Sequence, residues 1–337
     1  MESLATGCAL VVCVTAQLPQ RILDATGIQA WGLALVVVVA VVSGVRALAR
    51  APFTVPLPPS PRGLARWAGG EAKIALVAVA VGTVVSVPLY ALLRATPAWW
   101  LIAWVMFAAV TILWQLATPF ALKAQAGPLV PAPPELTARV QALAVRAGVD
   151  LSAGVVVAGK PGSRRCNAYV VGLGPTRRLV LEQAVAAWPP ELVDQVVAHE
   201  LGHWRLGHSA RRLPLSILSQ LATLAAAAAV LSFAPLLDWA GVAQIGDPAS
   251  YPLLLVVGAV LALPARCLLA WRDRAQERAA DRFALDLLHR PDDFDAMLQL
   301  AAEDSGAPRN LPWWRLLTAT HPPIDERAAA ACSATGA

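Results

Sequence analysis

The sequence predicts a mainly α-helical protein that crosses a membrane several times and carries a small α+β domain. Its 337 residues are 57% hydrophobic and only 15% charged, and its mean hydropathy is +0.58. Soluble domains are less apolar and more highly charged. Long stretches of the chain contain no charged residue, and two other blocks are polar. The apolar stretches predict the membrane helices, and the polar blocks predict the small domain.

The charge-free stretches predict five or six membrane-spanning helices, because most of them approach the roughly 20 residues that a helix needs to cross a bilayer. They cover residues 3–20, 26–45, 74–93, 95–122, 213–237 and 248–265. The first stretch differs from a secretory signal, since no Lys or Arg precedes Arg21. We expect it to form a short span or a helix at the membrane interface.

These stretches divide the chain into four parts. Residues 1–122 are expected to form an N-terminal membrane region of three or four spans, and residues 213–271 a transmembrane hairpin. Residues 123–212 and 272–337 are the two polar blocks. Because two spans separate the polar blocks, both must emerge on the same side of the membrane. There they can build one domain and one site.

The distribution of basic residues predicts which side this is. Residues 123–212 contain eleven Lys and Arg, whereas the loop at 238–247 inside the hairpin contains none. Short loops rich in Lys and Arg stay in the cytoplasm, so we expect both polar blocks to face the cytoplasm. The net charge of +5 comes from such loops, and it therefore does not indicate a nucleic-acid partner.

The first polar block contains recognisable short elements. Apolar residues at helical spacing predict a helix over 135–148, after a run of prolines. Three β-branched runs bounded by Gly, Pro or Arg predict strands at 155–157, 167–171 and 179–181. A second helix is expected to begin at Glu191, directly after two prolines.

This second helix carries the most informative motif of the chain, the HExxH pattern that runs from His199 to His203. Residues four apart lie on one face of a helix, so both imidazoles can bind a single cation. Glu200 would lie beside the open coordination position of a catalytic zinc ion, where it can accept a proton from water. The pattern therefore indicates a zinc hydrolase site.

Two histidines do not hold a catalytic zinc ion alone, so a third ligand is required. Glu277 is the preferred candidate, because it lies on a helix that returns to the same side of the membrane. Asp281 follows one turn later and can accept the free N–H of a ligating imidazole. The alternative is a solvated helix face on which Arg278 and Arg282 pair with these carboxylates.

His208 is another candidate for the third ligand. The three-histidine spacing HExxHxxGxxH would require Gly at position 206 and His at position 209, whereas this chain has Leu206 and Ser209. We therefore expect His208 to have a structural role or to support one of the ligating histidines. The five cysteines form no CxxC pair, so neither disulfides nor an iron–sulfur site is expected.

Several motifs in the right order resemble the type I CAAX prenyl protease family, the integral-membrane zinc endopeptidases that include the HtpX-like heat-shock proteases. The resemblance covers about residues 61–328. The matching segments are Arg165–Leu181, the AHELGHW run at 198–204, Arg274–Asp281 and Thr320–Arg327. HExxH with a downstream ExxxD is the gluzincin plan. The resemblance thus implies a multi-pass membrane protein with a small gluzincin-type α+β catalytic domain.

The resemblance also implies the composition of the site. One Zn²⁺ per chain would be held by His199, His203 and Glu277, with Glu200 as the general base. Asp281 would accept a hydrogen bond from a ligating imidazole.

Further residues gain roles from the same resemblance. The strand at Asn167-Ala168-Tyr169 would pair with an extended peptide substrate; the alternative is an ordinary strand end with Asn in a turn. His321 would stabilise the oxyanion, and its alternative is a capped loop histidine. Arg327 would orient the segment that carries His321.

The sequence therefore predicts a membrane-embedded zinc endopeptidase that acts on a peptide or membrane-associated protein substrate. The Arg- and Ala-rich, Lys-poor composition is typical of a bacterial cell-membrane protein, so prenylated CAAX substrates are not expected. One alternative is a regulatory metalloprotease of the antibiotic-sensor type that cleaves a dedicated repressor, but the loop at 238–247 is too short for an external sensor domain. Another is a non-catalytic scaffold or transporter, which the nearly charge-free spans disfavour.

Overall fold

A computed structural model describes residues 2–55, 60–125, 129–151, 154–159, 167–171, 178–305 and 308–333. The chain forms two compact units. One consists of Met1–Ala108 and Ser219–Leu263, and the other consists of Ala109–Leu218 and Pro264–Ala337. Most described residues are helical, and a small four-stranded sheet accompanies them. The predicted fold class is confirmed.

Helices account for most of both units. In chain order they are α1 (Glu2–Thr15), α2 (Leu18–Thr26), α3 (Trp31–Thr54), α4 (Pro61–Ala95), α5 (Trp99–Gln125), α6 (Pro134–Ala147), α7 (Gln183–Ala186), α8 (Pro190–Arg205), α9 (His208–Leu231), α10 (Ala234–Trp239), α11 (Tyr251–Leu288), α12 (Pro291–Ser305), α13 (Trp313–Leu316) and α14 (Ile324–Ser333). Among the described residues, α3, α4, α5, α9 and α11 are long and apolar enough to cross a membrane, and α1 with α2 is a further candidate bent by 55°. The number of candidate spans agrees with the five or six that the sequence predicts.

The first unit is an apolar helical bundle. Val38, Val39 and Val42 are fully buried on one face of α3 and pack in the same cluster as Tyr90 of α4. The hydroxyl group of Tyr90 lies 2.7 Å from the hydroxyl oxygen of Ser250. A buried polar group needs such a partner, because an unmade hydrogen bond in an apolar interior is costly.

The second unit contains the sheet. Its strands are β1 (Leu129–Pro131), β2 (Val155–Ala158), β3 (Ala168–Val171) and β4 (Arg178–Glu182), in the order β1-β2-β4-β3. The β2 and β4 strands run parallel, and the two outer strands are antiparallel to their neighbours. The three predicted strands are confirmed within one or two residues. The sequence did not predict β1.

Two apolar clusters fix the rotation of α8 in the second unit. On one side Val193, Val197 and Leu201 belong to the core that α8 shares with α6 and the sheet. On the other side Leu192 and Ala198 belong to a cluster with residues of α11 and α12. Because α8 is packed on both sides, the remaining stripe of the helix, which carries the HExxH residues, has one fixed direction.

Candidate metal centre

The two histidines of α8 present their ring nitrogens to the same point. The Nε2 atoms of His199 and His203 lie 3.1 Å apart. This closeness follows from their spacing, since residues four apart stack on one helix face. His199 is buried, with 8% of the residue exposed.

Glu277 of α11 completes a group of three. Its Oε2 lies 3.5 Å from Nε2 of His199, and its Oε1 lies 3.2 Å from Nε2 of His203. The ligand atoms of these three residues all lie within 4.8 Å of one another, which is a spacing that can hold a metal ion. Glu277 Oε2 is buried, and within the part of the chain that the structure describes it accepts no hydrogen bond. A buried carboxylate oxygen left in this state is costly unless a cation lies beside it, so the donor set fits a metal ion.

Gly202, inside the HExxH motif, permits the close approach of α8 to α11. A Cβ atom at this position would lie 3.1 Å from the Phe283 ring and 3.3 Å from the backbone Cα of Ala280. A larger side chain would therefore push α11 away from α8. Since the two histidines and Glu277 belong to these two helices, the small residue at 202 helps to bring the third ligand within reach.

His199 is supported from behind by α11 and α14. Its Nδ1 lies 2.9 Å from Oδ1 of Asp281, and Arg327 donates to both oxygens of the same carboxylate at 2.8 and 2.6 Å. Burial lowers the pKa of His199, but Asp281 and Glu277 more than offset this effect and raise it to about 9. The imidazole is thus held in a strongly anionic environment, which also favours a divalent cation.

His208 supports the other histidine. Its Nδ1 lies 2.8 Å from Nδ1 of His203, and only 8% of the residue is exposed. Burial, followed by the nearby His203 imidazole, lowers the pKa of His208 to about 4. A neutral His208 can accept the Nδ1–H of His203, which leaves Nε2 of His203 free to bind a cation. The structure thereby gives His208 a specific partner where the sequence left a choice of roles.

Glu200 is partly buried next to the same group. Burial raises the pKa of its carboxyl above the ordinary value, against the opposite effect of the imidazoles of His199 and His203. A carboxyl group with a raised pKa is a stronger base than an exposed one. This is the direction expected of a group that accepts a proton near neutral pH.

His321 reaches the centre from a loop. Its Nε2 lies 3.6 Å from Oε2 of Glu277, although 66% of the His321 side chain is exposed. The loop is held by Arg274 of α11, which donates to the carbonyl oxygens of Leu316 and Ala319 at 2.6 Å each. Sequence reasoning gave Arg274 no role of its own. The available signal was its place in the matched segment Arg274–Asp281.

Comparisons with known proteins identify the family. The sequence profile of peptidase family M48 matches residues 132–335. The chain belongs to peptidase family M48. The resemblance predicted from the sequence motifs is thereby confirmed, and the His-His-Glu group is of the kind that forms the zinc site in M48 peptidases.

Curated relatives of this M48 chain include two proteins named CAAX prenyl protease 1 homolog. The protein from Oryza sativa subsp. japonica is 28% identical over 202 residues, which are 58% of this chain and 46% of the relative. The protein from Caenorhabditis elegans is 27% identical over 227 residues, with 58% of this chain and 51% of the relative covered. This chain spans about half the length of the curated relatives that it matches.

A solved structure supports the fold. The crystal structure of S. mikatae Ste24p matches this M48 chain with a TM-score of 0.64 and 21% sequence identity. The match covers 79% of this chain and 66% of the other. At this identity the likeness concerns the fold alone.

The alternative interpretation of Glu277 and Asp281, a solvated helix face, is wrong for this M48 chain. Glu277 is 8% exposed and Asp281 is 4% exposed. Arg278 pairs instead with Glu326 at 2.7 Å, and Arg282 donates to a backbone carbonyl of its own helix at 3.4 Å. The two carboxylates and the two arginines therefore lie on different faces of α11.

The predicted substrate strand lies at an edge of the sheet. Ala168 and Tyr169 belong to β3, which pairs with β4 on one side. The carbonyl oxygen of Asn167 accepts from the backbone N–H of Glu182 at 2.9 Å, so Asn167 continues the pairing by one residue. The α8 helix packs against β3. Such an outer strand can pair with a further extended segment.

Proposed function

We propose that this chain is a membrane-embedded zinc endopeptidase. In this proposal His199, His203 and Glu277 hold one Zn²⁺. The observation that carries it is the group of three ligand atoms, in which an oxygen of Glu277 is buried and accepts no hydrogen bond from the described residues. When bound, zinc supplies a Lewis acid that polarises the scissile carbonyl and activates water near neutral pH.

Glu200 is the general base of the proposed reaction. It takes a proton from the attacking water as the oxygen adds to the scissile carbonyl, and it later delivers a proton to the departing amine. The raised pKa of its carboxyl supports this role.

His321 stabilises the negative charge that develops on the substrate carbonyl oxygen. Its exposed ring can meet a substrate, and its Nε2 lies 3.6 Å from Glu277 Oε2. A preorganised donor aimed at an oxyanion lowers the barrier of acyl-transfer reactions. Arg274 serves this role indirectly, because it holds the loop on which His321 lies.

The substrate is a peptide bound in extended form along β3. An edge strand offers backbone N–H and C=O groups that pair with a peptide of any sequence. Asn167, Ala168 and Tyr169 would provide this pairing.

We assign residues 123–212 and 272–337 to the peptidase domain. We place that domain on the cytoplasmic side of a bacterial membrane, since the first block is rich in Lys and Arg. Its substrates are then membrane-associated proteins.

The test is the full-length protein in detergent, with zinc content measured by mass spectrometry and cleavage measured on casein. Glu200→Gln keeps the shape of the side chain but removes the base. We expect stoichiometric zinc and a loss of cleavage of about 10²- to 10⁴-fold, the usual contribution of a general base.

The matched control is Glu191→Gln, which makes the same change at an exposed position of α8. It should retain full cleavage and zinc. Full cleavage by Glu200→Gln with zinc bound would contradict the proposed mechanism.

A further inference from the structure

The segment before His321 exposes an unusual apolar surface, which we call the Trp turn and define as Pro312–Leu317. Trp313 is 75% exposed, Trp314 is 52% exposed and Leu317 is 49% exposed. Tryptophan is strongly buried on average in soluble domains. Adjacent exposed tryptophans in one short turn therefore indicate a surface that meets an apolar or interfacial environment.

The Trp turn is fastened to a helix that continues from a membrane span. Arg274 of α11 donates to the carbonyl oxygens of Leu316 and Ala319. Within the two turns of α11 that precede Arg274, Trp271 is 61% exposed and Leu268 is 55% exposed. At 1.5 Å per residue, Trp271 and Arg274 are separated by only about 4.5 Å along the helix axis.

The exposed residues of α11 indicate where this helix leaves the bilayer. Val260, Leu263, Leu268 and Trp271 are exposed apolar residues that follow one another along the candidate span Pro248–Leu288. Tryptophan is enriched where membrane helices meet water, because its ring is apolar and its N–H is polar. Trp271 therefore marks the interface, and Arg274 holds the Trp turn at nearly the same level.

We propose that the Trp turn inserts into the headgroup region of the bilayer as an interfacial anchor of the peptidase domain. The binding partner of the Trp turn is the same lipid surface that surrounds the exposed part of α11. The charges agree with this partner, since residues 308–319 contain two arginines and no acidic residue. Arg309 is paired with Asp325, whereas the Arg315 guanidinium lies 5.1 Å from the centre of the Trp314 ring. That pair can face anionic headgroups and the acyl boundary together.

This anchor has a consequence for the candidate metal centre. The carbonyl groups of Leu316 and Ala319 belong to the segment that leads directly to His321. The same segment would thus be held by Arg274 on one side and by the bilayer on the other. His321 would be positioned by the membrane surface, which would favour substrates that lie at that surface.

The test uses the full-length protein in nanodiscs of phosphatidylcholine with one quarter phosphatidylglycerol. The five native cysteines are replaced by alanine, and nitroxide spin labels are placed by Trp313→Cys and, in a second variant, Leu317→Cys. Collision rates with oxygen, which dissolves in lipid, and with a water-soluble nickel complex are measured by electron paramagnetic resonance. The control is Val145→Cys, at a position of α6 that is 80% exposed.

We expect the ratio of oxygen to nickel collisions to be several-fold higher at 313 and 317 than at 145. A ratio at 313 and 317 equal to that at 145 would overturn the proposal. Spin–spin broadening at these positions would also overturn it, because it would identify a second copy of this chain as the occupant. The measurement needs no peptidase activity, so its failure is distinguishable from failure of the proposed function.

Discussion

The two histidines next to Glu277 Oε2 differ sharply in how they are held. The His199 side chain is 11% exposed and is supported by Asp281 of α11 and, through Asp281, by Arg327 of α14. The His321 side chain is 66% exposed and lies on a loop that Arg274 holds through backbone carbonyl groups. A metal ligand has to stay in one geometry, whereas a group that meets the substrate has to be reachable. The difference separates the part of the site that is preorganised from the part that is open to a peptide.

Among the changes proposed for the site, removal of the buried third ligand, Glu277, should have the largest effect. In Glu277→Ala we expect the zinc content to fall far below one ion per chain and cleavage to become undetectable, since two histidines alone do not form a catalytic zinc site. The measurement is zinc content after dialysis, with cleavage in parallel. Glu303→Ala, at an exposed position of α12, is the control and should retain both. Stoichiometric zinc in Glu277→Ala would remove the basis of the proposed site.

Truncation of the exposed His321 should impair catalysis but not metal binding. In His321→Ala we expect full zinc content, an almost unchanged KM and a kcat lower by about 10²-fold, which is typical for the loss of one oxyanion donor. The control is His289→Asn, an exposed position at positive φ where Asn is tolerated. Loss of zinc in His321→Ala would instead make this residue part of the metal-binding group.

The support behind His199 should matter less than the ligand itself. In Asp281→Asn we expect zinc affinity to fall by about 10- to 100-fold, the usual cost of removing the partner of a ligating imidazole. Competition with a fluorescent zinc chelator measures this change. An unchanged affinity would show that the 2.9 Å approach of Asp281 to His199 does not orient the ligand.

The smallest effect is expected at His208. His208→Phe removes the acceptor for Nδ1–H of His203, and we expect zinc affinity to fall by about tenfold, the lower end of the range for such partners. His208→Gln keeps an acceptor and should recover most of the loss. Equal affinities for the Phe variant and the unmodified protein would reduce His208 to a packing residue.

Periodicity made much of the fold predictable. The α6 helix and the strands β2, β3 and β4 follow directly from apolar spacing and from the residues that bound them. The β1 strand was not predictable, because three residues with a terminal proline carry no alternation and depend on the partner strand β2. The α12 helix was missed although its signals were present, namely Pro291 at its start and two aspartates in its first turn.

The candidate site was also predictable only in part. His199 and His203 share a face because of helix geometry, and a carboxylate four residues before another on α11 could be placed beside them. The contact of His208 with His203 depends on side-chain directions after the end of α8, where the helix gives way to Gly207 at φ 67. The hold of Arg274 on the His321 loop depends on a loop conformation. Neither has a periodic signal in the sequence.

The most direct test of the account is X-ray absorption at the zinc edge of the full-length protein in detergent. We predict a first shell of two imidazole nitrogens with carboxylate and solvent oxygens at about 2.0–2.2 Å, without sulfur. We also predict that this spectrum is lost in Glu277→Ala. A sulfur shell at about 2.3 Å would contradict the site formed by His199, His203 and Glu277. A zinc spectrum of His199→Ala or Glu277→Ala that is identical to the spectrum of the unmodified protein would contradict it as well.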